Sequence, residues 1–332
     1  MIITQTPLRV SFAGGGSDLP SFYRKFGGAV VSTTINKYVY INVNEKFDNG
    51  IRLSYSKTEN VATVQEIEHR LVRAALIKLG LSGGLEITSI ADIPSSGTGL
   101  GSSSAFTVGL LLALHAYQST YISPSDLAAE SCSVEIDLCG ERIGKQDQYA
   151  SAHGGLNFIR FEPDDSVIME PILCSGEDLL RLQSSLVSFY TGKTRSASSI
   201  LAEQSEQAES NQATQGLLIR MAKLAYDLRA ELNCGNIDAL GEILDEGWQL
   251  KREVHERVSD PAIDNWYEAA KHAGAAGGKL LGAGGGGFLT FFAPPERHGA
   301  IETALGLRRV DLLPERSGSR VLLYHRTAPL KS

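Results

Sequence analysis

The sequence predicts a two-domain α+β protein, and three observations carry that expectation. Strand-like segments crowd the stretch before residue 190. The stretch from 196 to 273 carries no strand signal and reads as helices. Strand signals then return at 288–292 and 320–325. Strands and helices therefore do not alternate as they would in a parallel βαβ series. The composition shifts after Thr191, and we divide the chain of 332 residues into 1–185 and 186–332.

Each element has its own signal. Residues 2–12 and 29–43 are rich in Val, Ile, Thr and Tyr, with local alternation in YVYINV, and read as strands. Asp48, Asn49 and Gly50 mark a turn between two strands. Val64, Ile67, Leu71, Ala74, Ala75 and Leu79 fall at helical spacing, and Gly80 suits that helix's end. Residues 85–93 read as a strand that runs into a glycine- and serine-rich loop. Residues 104–117 are apolar nearly all round, the mark of a buried helix. Ser123 and Pro124 suit the cap and first position of the next helix. A strand pair is expected at 154–161 and 167–172, and another strand at 186–190. Helices follow at 197–233, 237–254 and 261–273.

Bulk properties exclude several functions. Hydrophobic residues make up 42% and charged residues 21%, an ordinary globular balance, so disorder is not expected. A formal charge of −7 is the wrong sign for binding nucleic acid electrostatically, although a few local cations suffice for a small anion. No apolar run reaches the ~20 residues of a membrane span. The start, MIITQTPLRV, lacks the regions of a signal peptide. A cytoplasmic chain with no membrane partner is the expectation. Cys132, Cys139, Cys174 and Cys234 form no C-x-x-C pair and are expected as free thiols. The histidines show no metal-ligand spacing, and His153 is read as structural. Oligomeric state is left open, a homodimer included.

The loop at 94–105, PSSGTGLGSSSA, is the leading candidate for function. Gly97, Gly99 and Gly101 let backbone N–H groups crowd around an anion. The serines that follow open a helix whose N-terminus carries partial positive charge. A surface loop ending in a helix cap is the competing reading. Two other nucleotide motifs fail on spacing. A dinucleotide fingerprint would need glycine at Ser102. Gly192, Lys193 and Thr194 imitate the end of a Walker A loop, but Val187 stands at its first glycine.

Three separated motifs, PLRVSFAGGGSD at 7–18, this loop, and KLLGAGGGGF at 279–288, occur in one order. In them the chain resembles the galactokinase–homoserine kinase–mevalonate kinase–phosphomevalonate kinase superfamily over nearly its whole length. The resemblance implies a ribosomal-protein-S5-like N-terminal domain, a ferredoxin-like C-terminal domain, and ATP and substrate in the cleft between them. Within the superfamily the chain is most similar to the bacterial kinases of D-glycero-D-manno-heptose 7-phosphate, through LRVSFAGGGSDLP at 8–20, GKQDQY at 144–149, and YTG with RSAS at 190–198. Galactokinases usually have Glu-His where Gly15 and Gly16 stand, and L-fucose kinases an aromatic where Gly16 stands. The implied reaction is phosphorylation of the anomeric hydroxyl of a heptose 7-phosphate. Its 1,7-bisphosphate product would feed nucleotide-activated heptose for a bacterial surface polysaccharide. An L-fucose kinase and a non-catalytic sugar-binding regulator are the competing readings.

The resemblance also assigns residues. Asp147 is the implied base for the acceptor hydroxyl, with a helix cap as its bland alternative. Arg9 is implied near it, where a cation would tune the carboxylate. Ser96, Gly97, Thr98, Gly99, Leu100, Gly101, Ser102, Ser103 and Ser104 are implied around ATP. Ser103 and Glu135 are the implied Mg2+ contacts. One extra residue between Glu135 and Asp147 leaves Glu130 and Asp137 open. Gly15, Gly16, Ser17 and Asp18 are implied at the sugar, where a carboxylate suits a vicinal diol. Lys193 and Arg195 bring two charges to a small-residue loop and could anchor a substrate phosphate, or form a solvated basic loop. The glycine run at 282–287 is expected to support the site by close backbone approach.

Overall fold

The computed structural model describes residues 1–94, 97–194 and 197–325, with the backbone alone over 197–201. The strands in chain order are β1 (Ile2–Ala13), β2 (Gly28–Glu45), β3 (Ile51–Ser54), β4 (Thr58–Val61), β5 (Leu85–Ala91), β6 (Leu156–Phe161), β7 (Val167–Pro171), β8 (Leu186–Tyr190), β9 (Gly277–Leu280), β10 (Phe288–Phe292), β11 (Arg308–Arg309), β12 (Pro314–Glu315) and β13 (Arg320–Tyr324). Among the described residues they form two sheets. The larger is ordered β13-β1-β2-β5-β3-β4, with β6 and β12 also on β2 and β7 on β6. Its pairs are antiparallel except β3 with β5. The smaller is antiparallel, ordered β11-β8-β10-β9.

The helix Ser102–Tyr117 lies against β1 and β2, and its Ala105, Val108, Leu110, Leu111, Ala113 and Leu114 are fully buried. Burial of that many apolar groups on every face, at about 25 cal/mol per Å2, is what fixes the helix in place. The helix Gln212–Asn233 covers β2 and β1, with Leu218, Leu224, Ala225 and Leu228 in the same core. A second core around Trp248, Tyr267, Phe189 and Phe291 joins the smaller sheet to its helices.

Several expectations are refined. Residues 48–50 do turn, with the Gly50 N–H donating to Asp48 Oδ1 at 2.8 Å. They do not join paired strands, because β5 lies between β2 and β3. The periodic stretch at 64–79 is a short turn, Val64–Glu66, and then a helix, Arg70–Lys78. The Glu59 carboxylate takes the N–H groups of Glu68 and His69, at 2.6 and 3.3 Å, and so interrupts the helix. The helix at 197–233 is two helices, Ala197–Ser210 and Gln212–Asn233. Asn211 is extended between them, and its Oδ1 caps the second by accepting from Ala213 and Thr214. The late strands β12 and β13 rejoin the first sheet, so 186–332 is not one spatial unit. Among the described residues no helix is long and apolar enough to cross a membrane. All four cysteines are free thiols.

Candidate active site

The site begins with the packing of one helix on one strand. Thr4 Oγ1 donates to the Gly109 carbonyl at 2.9 Å, which holds the helix Ser102–Tyr117 along β1. Further along β1 the Arg9 N–H donates to the Leu100 carbonyl at 3.0 Å. The glycine-rich loop is thereby fastened to the strand that carries Arg9. The Arg9 side chain reaches across the loop, with Nη1 donating to the Gly99 carbonyl at 2.7 Å. Its Nε and Nη2 donate to the two Asp147 oxygens at 2.7 and 2.8 Å. This is a bidentate pair, the geometry that a planar guanidinium provides and an ammonium does not. The Arg9 side chain is 6% exposed and that of Asp147 21%, so the carboxylate keeps access to the cavity. Asp147 lies in the first turn of the helix Gln146–His153.

A cavity of about 580 Å3 opens here, lined from both halves of the chain. Gly97, Thr98, Gly99 and residues 101–104 line it. Gly101 precedes the helix in a left-handed conformation, and as a glycine it offers no side chain to cap the helix. The first N–H groups are therefore available to an anion. Ser96 lies outside the described residues. Leu100 does not line the cavity. Its side chain is fully buried, and its carbonyl is taken by Arg9.

Glu135 is also fully buried, on the widened helical segment Ser133–Leu138. Ser103 Oγ donates to its Oε1 at 3.0 Å, and Gln148 Nε2 to its Oε2 at 2.6 Å. Burial pushes this carboxyl up to about 7, against the hydrogen bonds of Gln148, Ser104 and Ser103. The two alternatives lie elsewhere: Glu130 pairs with His115 at 2.7 Å, and Asp137 is exposed. Among the described residues no group of three or more His, Cys, Asp or Glu side chains gathers as a metal cage. One carboxylate and one hydroxyl fit a Mg2+ ion that takes its other ligands from phosphate and water.

Another wall of the cavity is built on Asp18, which is 2% exposed. Its Oδ1 accepts from the Gly16 N–H at 3.0 Å, and its Oδ2 from Gln146 Nε2 at 3.0 Å. Burial, and then the charge of Asp147, pushes its carboxyl above the usual range. Gly144 is required beside it, because a Cβ there would lie 1.8 Å from Asp18 Oδ2. Gly15 and Gly16 line the cavity. Ser17 does not. It is fully buried, and its hydroxyl donates to the carbonyls of Gly14 and Ala29, so it locks the turn. Lys193 is also turned away: its Nζ pairs with Asp260 at 2.6 Å and lies 5.5 Å from the Trp266 ring. Arg195 lies outside the described residues. His153 stacks on Tyr149 away from the cavity.

The glycine run does support the loop. A Cβ on Gly282 would lie 2.2 Å from Gly99 Cα, and one on Gly287 2.3 Å from the Thr98 carbonyl. The two backbones meet where side chains would forbid it.

The profile of the GHMP kinases N terminal domain matches residues 60–155, and that of the GHMP kinases C terminal matches 224–307. A D-glycero-alpha-D-manno-heptose 7-phosphate kinase from Campylobacter jejuni is 30% identical over 311 residues, 89% of this chain and 90% of that one. The chain belongs to the GHMP kinases. A bifunctional fucokinase/GDP-fucose pyrophosphorylase from Arabidopsis thaliana is 28% identical over 87% of this chain but 29% of its own length. The crystal structure of a D-glycero-D-manno-heptose 1-phosphate kinase from Bacteroides thetaiotaomicron superposes with a TM-score of 0.82 at 25% identity, over 98% of this chain and all of that one. The fold is the two-domain α+β fold of the GHMP kinases, and the chain is a phosphotransferase, a sugar kinase that uses ATP.

This GHMP kinase places further residues in the cavity that sequence reasoning missed. Gln146 carries the Asp18 contact, and Gln204 lines the cavity with its buried Nε2 unbonded among the described residues. Lys279 Nζ donates to the Ser11 and Phe12 carbonyls at 2.9 and 3.3 Å, and burial pushes it well below the ordinary lysine value. Lys251 lines the cavity and donates to the Gly282 carbonyl. A sequence signal existed for Lys251. In the helix Ala239–Val254, Leu240, Leu244 and Trp248 form a buried stripe, and Lys251 falls on it where an apolar residue is expected.

Proposed function

We propose that the chain transfers the γ-phosphoryl group of Mg·ATP to the anomeric hydroxyl of D-glycero-D-manno-heptose 7-phosphate, giving the 1,7-bisphosphate. The observation that carries this reading is Asp147, clamped by Arg9 beside an uncapped helix start, with Asp18 held at the same cavity. The choice of heptose is supported by the Campylobacter relative, similar over nine-tenths of its length. The product would supply nucleotide-activated heptose for a bacterial surface polysaccharide, in the cytoplasm.

Each residue then has a task. Loop and helix N–H groups hold the nucleotide's phosphates. Arg9 fixes both Asp147 oxygens, and a free lone pair of Asp147 accepts the proton of the acceptor hydroxyl. Asp18 is oriented by Gly16 and Gln146 and accepts from sugar hydroxyls. Ser103 and Glu135 would hold Mg2+, which neutralises charge on the phosphates.

The test is kcat/KM across heptose 7-phosphate, heptose 1-phosphate, L-fucose and other unphosphorylated sugars. The proposal expects heptose 7-phosphate to lead by at least about tenfold. A lead by any unphosphorylated sugar overturns the substrate assignment. Nucleotide binding without turnover on the whole panel favours the non-catalytic reading.

A further inference from the structure

Among the described residues three cations line the cavity, and their charges are met differently. Arg9 is clamped to Asp147. Lys279 spends two donors on strand carbonyls. Lys251 Nζ, among the described residues, donates to the Gly282 carbonyl and pairs with no carboxylate. An ammonium carries three donors, so two of them remain. Lys251 is 8% exposed, and a buried cation with no carboxylate bonded to it is a standing cost to a fold. Proteins keep such groups where a ligand supplies the missing charge. The place is specific. Gly282, which Lys251 bonds, is the residue packed on Gly99 of the phosphate loop. Arg9 and Asp18 lie near enough for their charges to act on Lys251. The ammonium therefore sits at the seam between the loop and the acceptor carboxylate.

We propose that Lys251 is a catalytic residue whose two free donors bind the oxygens of a phosphoryl group at this seam. This rests on the kinase reading above. In the transfer step the bond from the γ-phosphorus to the nucleotide's bridging oxygen breaks, and a bond from that phosphorus to the sugar oxygen forms. The hydroxyl proton goes to Asp147, and ADP leaves with the bridging electron pair. Lys251 keeps its proton throughout and acts as fixed positive charge where negative charge moves. A phosphate already on the sugar offers the same chemistry, and the kinetic arms below separate the two sources. Burial, and then Arg9, pushes Lys251 down to about 8, which agrees with a cation awaiting an anion.

The test compares the full chain with Lys251→Met and Lys251→Arg. With saturating Mg·ADP on the loop, inorganic phosphate should raise the melting temperature of the wild type and leave that of K251M unmoved. Without ligand, K251M should melt no lower than the wild type, and K251R should recover part of the phosphate response. No phosphate response in the wild type, or its survival in K251M, overturns the proposal. A lower melting temperature in K251M with the response intact assigns Lys251 to anchoring Gly282, and overturns it equally. No sugar is needed, so this result is independent of which acceptor the enzyme uses. In turnover, K251M should lose kcat by at least about 30-fold if the group bound is the one in transfer. A rise in KM confined to phosphorylated sugars assigns the contact to the sugar's own phosphate. Unchanged kcat and KM values reject both.

Discussion

Glu135 and Lys251 are two buried groups of opposite sign, and each has a measurable consequence. Among the described residues Glu135 meets Ser103 and Gln148 but no cation. With Glu135→Gln the shape stays and the charge goes, so the Mg2+ concentration for half-maximal rate should rise by about tenfold or more. An unchanged Mg2+ titration removes Glu135 as the metal contact. For Lys251 the sign follows from linkage. Its ordinary value is 10.5 and its folded value about 8. Between those values the unfolded chain holds the proton that the folded chain has released. Stability from this site therefore rises with pH across that window. Urea midpoints at pH 8 and pH 10 should show this gain in the wild type relative to K251M; equal pH dependence contradicts it. Arg9, Lys279 and Asp18 are the charges that act on it or share its cavity. Motif residues such as Arg9, Asp18 and Asp147 were legible because they sit in distinctive strings. Lys251 was missed although it falls on an apolar stripe, because a lysine within a helix reads as surface until the burial of that stripe is known. Lys193 misled for the converse reason: its charge was visible in the sequence, and its partner Asp260, far along the chain, was not.

At the scale of elements, the loop and the glycine run work as one object, because their backbones touch. Gly99 has a φ of +77°, and a Cβ there would lie 2.3 Å from the Leu281 carbonyl. Gly99→Ala should therefore destabilise the fold by at least about 1–2 kcal/mol from the left-handed backbone alone. It should also raise the KM for ATP more than that for the sugar. Calorimetry and steady-state kinetics check both, and a wild-type melting temperature with unchanged KM values contradicts the contact. The helix Ser102–Tyr117 was legible because it is apolar on every side. The break at Asn211 was legible only in principle. Asn is a cap residue, but the apolar spacing continues past it. The stop at Glu59 was not legible, since a strand carboxylate intercepts helix N–H groups from outside the local sequence.

On the scale of the whole molecule, the division at 185 was read from composition, and it separates most of the two sheets but not the two cores. We propose it as a division of sheets only. The core of the larger sheet takes Leu218, Leu224 and Leu228 from the second half. The end of the chain returns as β12 and β13, and Ser319 bonds Thr6 at 2.7 Å. A fragment of residues 1–185 should consequently show no cooperative urea transition by circular dichroism, and a sharp transition contradicts the shared core. The same return holds the helix that carries Asp147 from behind. A Cβ on Gly318 would lie 2.1 Å from the Ala152 carbonyl, one turn beyond Asp147. Sequence reading found the strand at 320–325 but not the sheet it joins, because pairing with the far end of the chain leaves no local pattern. Both halves thus converge on one carboxylate and one loop. The most direct measurement follows heptose 7-phosphate and Mg·ATP by phosphorus NMR, with wild type and Asp147→Asn in parallel. The wild type should yield one new phosphate resonance, coupled to the anomeric proton, with one ADP per product. D147N should be slower by about 10²–10⁴-fold. Phosphate at another position, or a D147N rate equal to the wild type, would contradict the account.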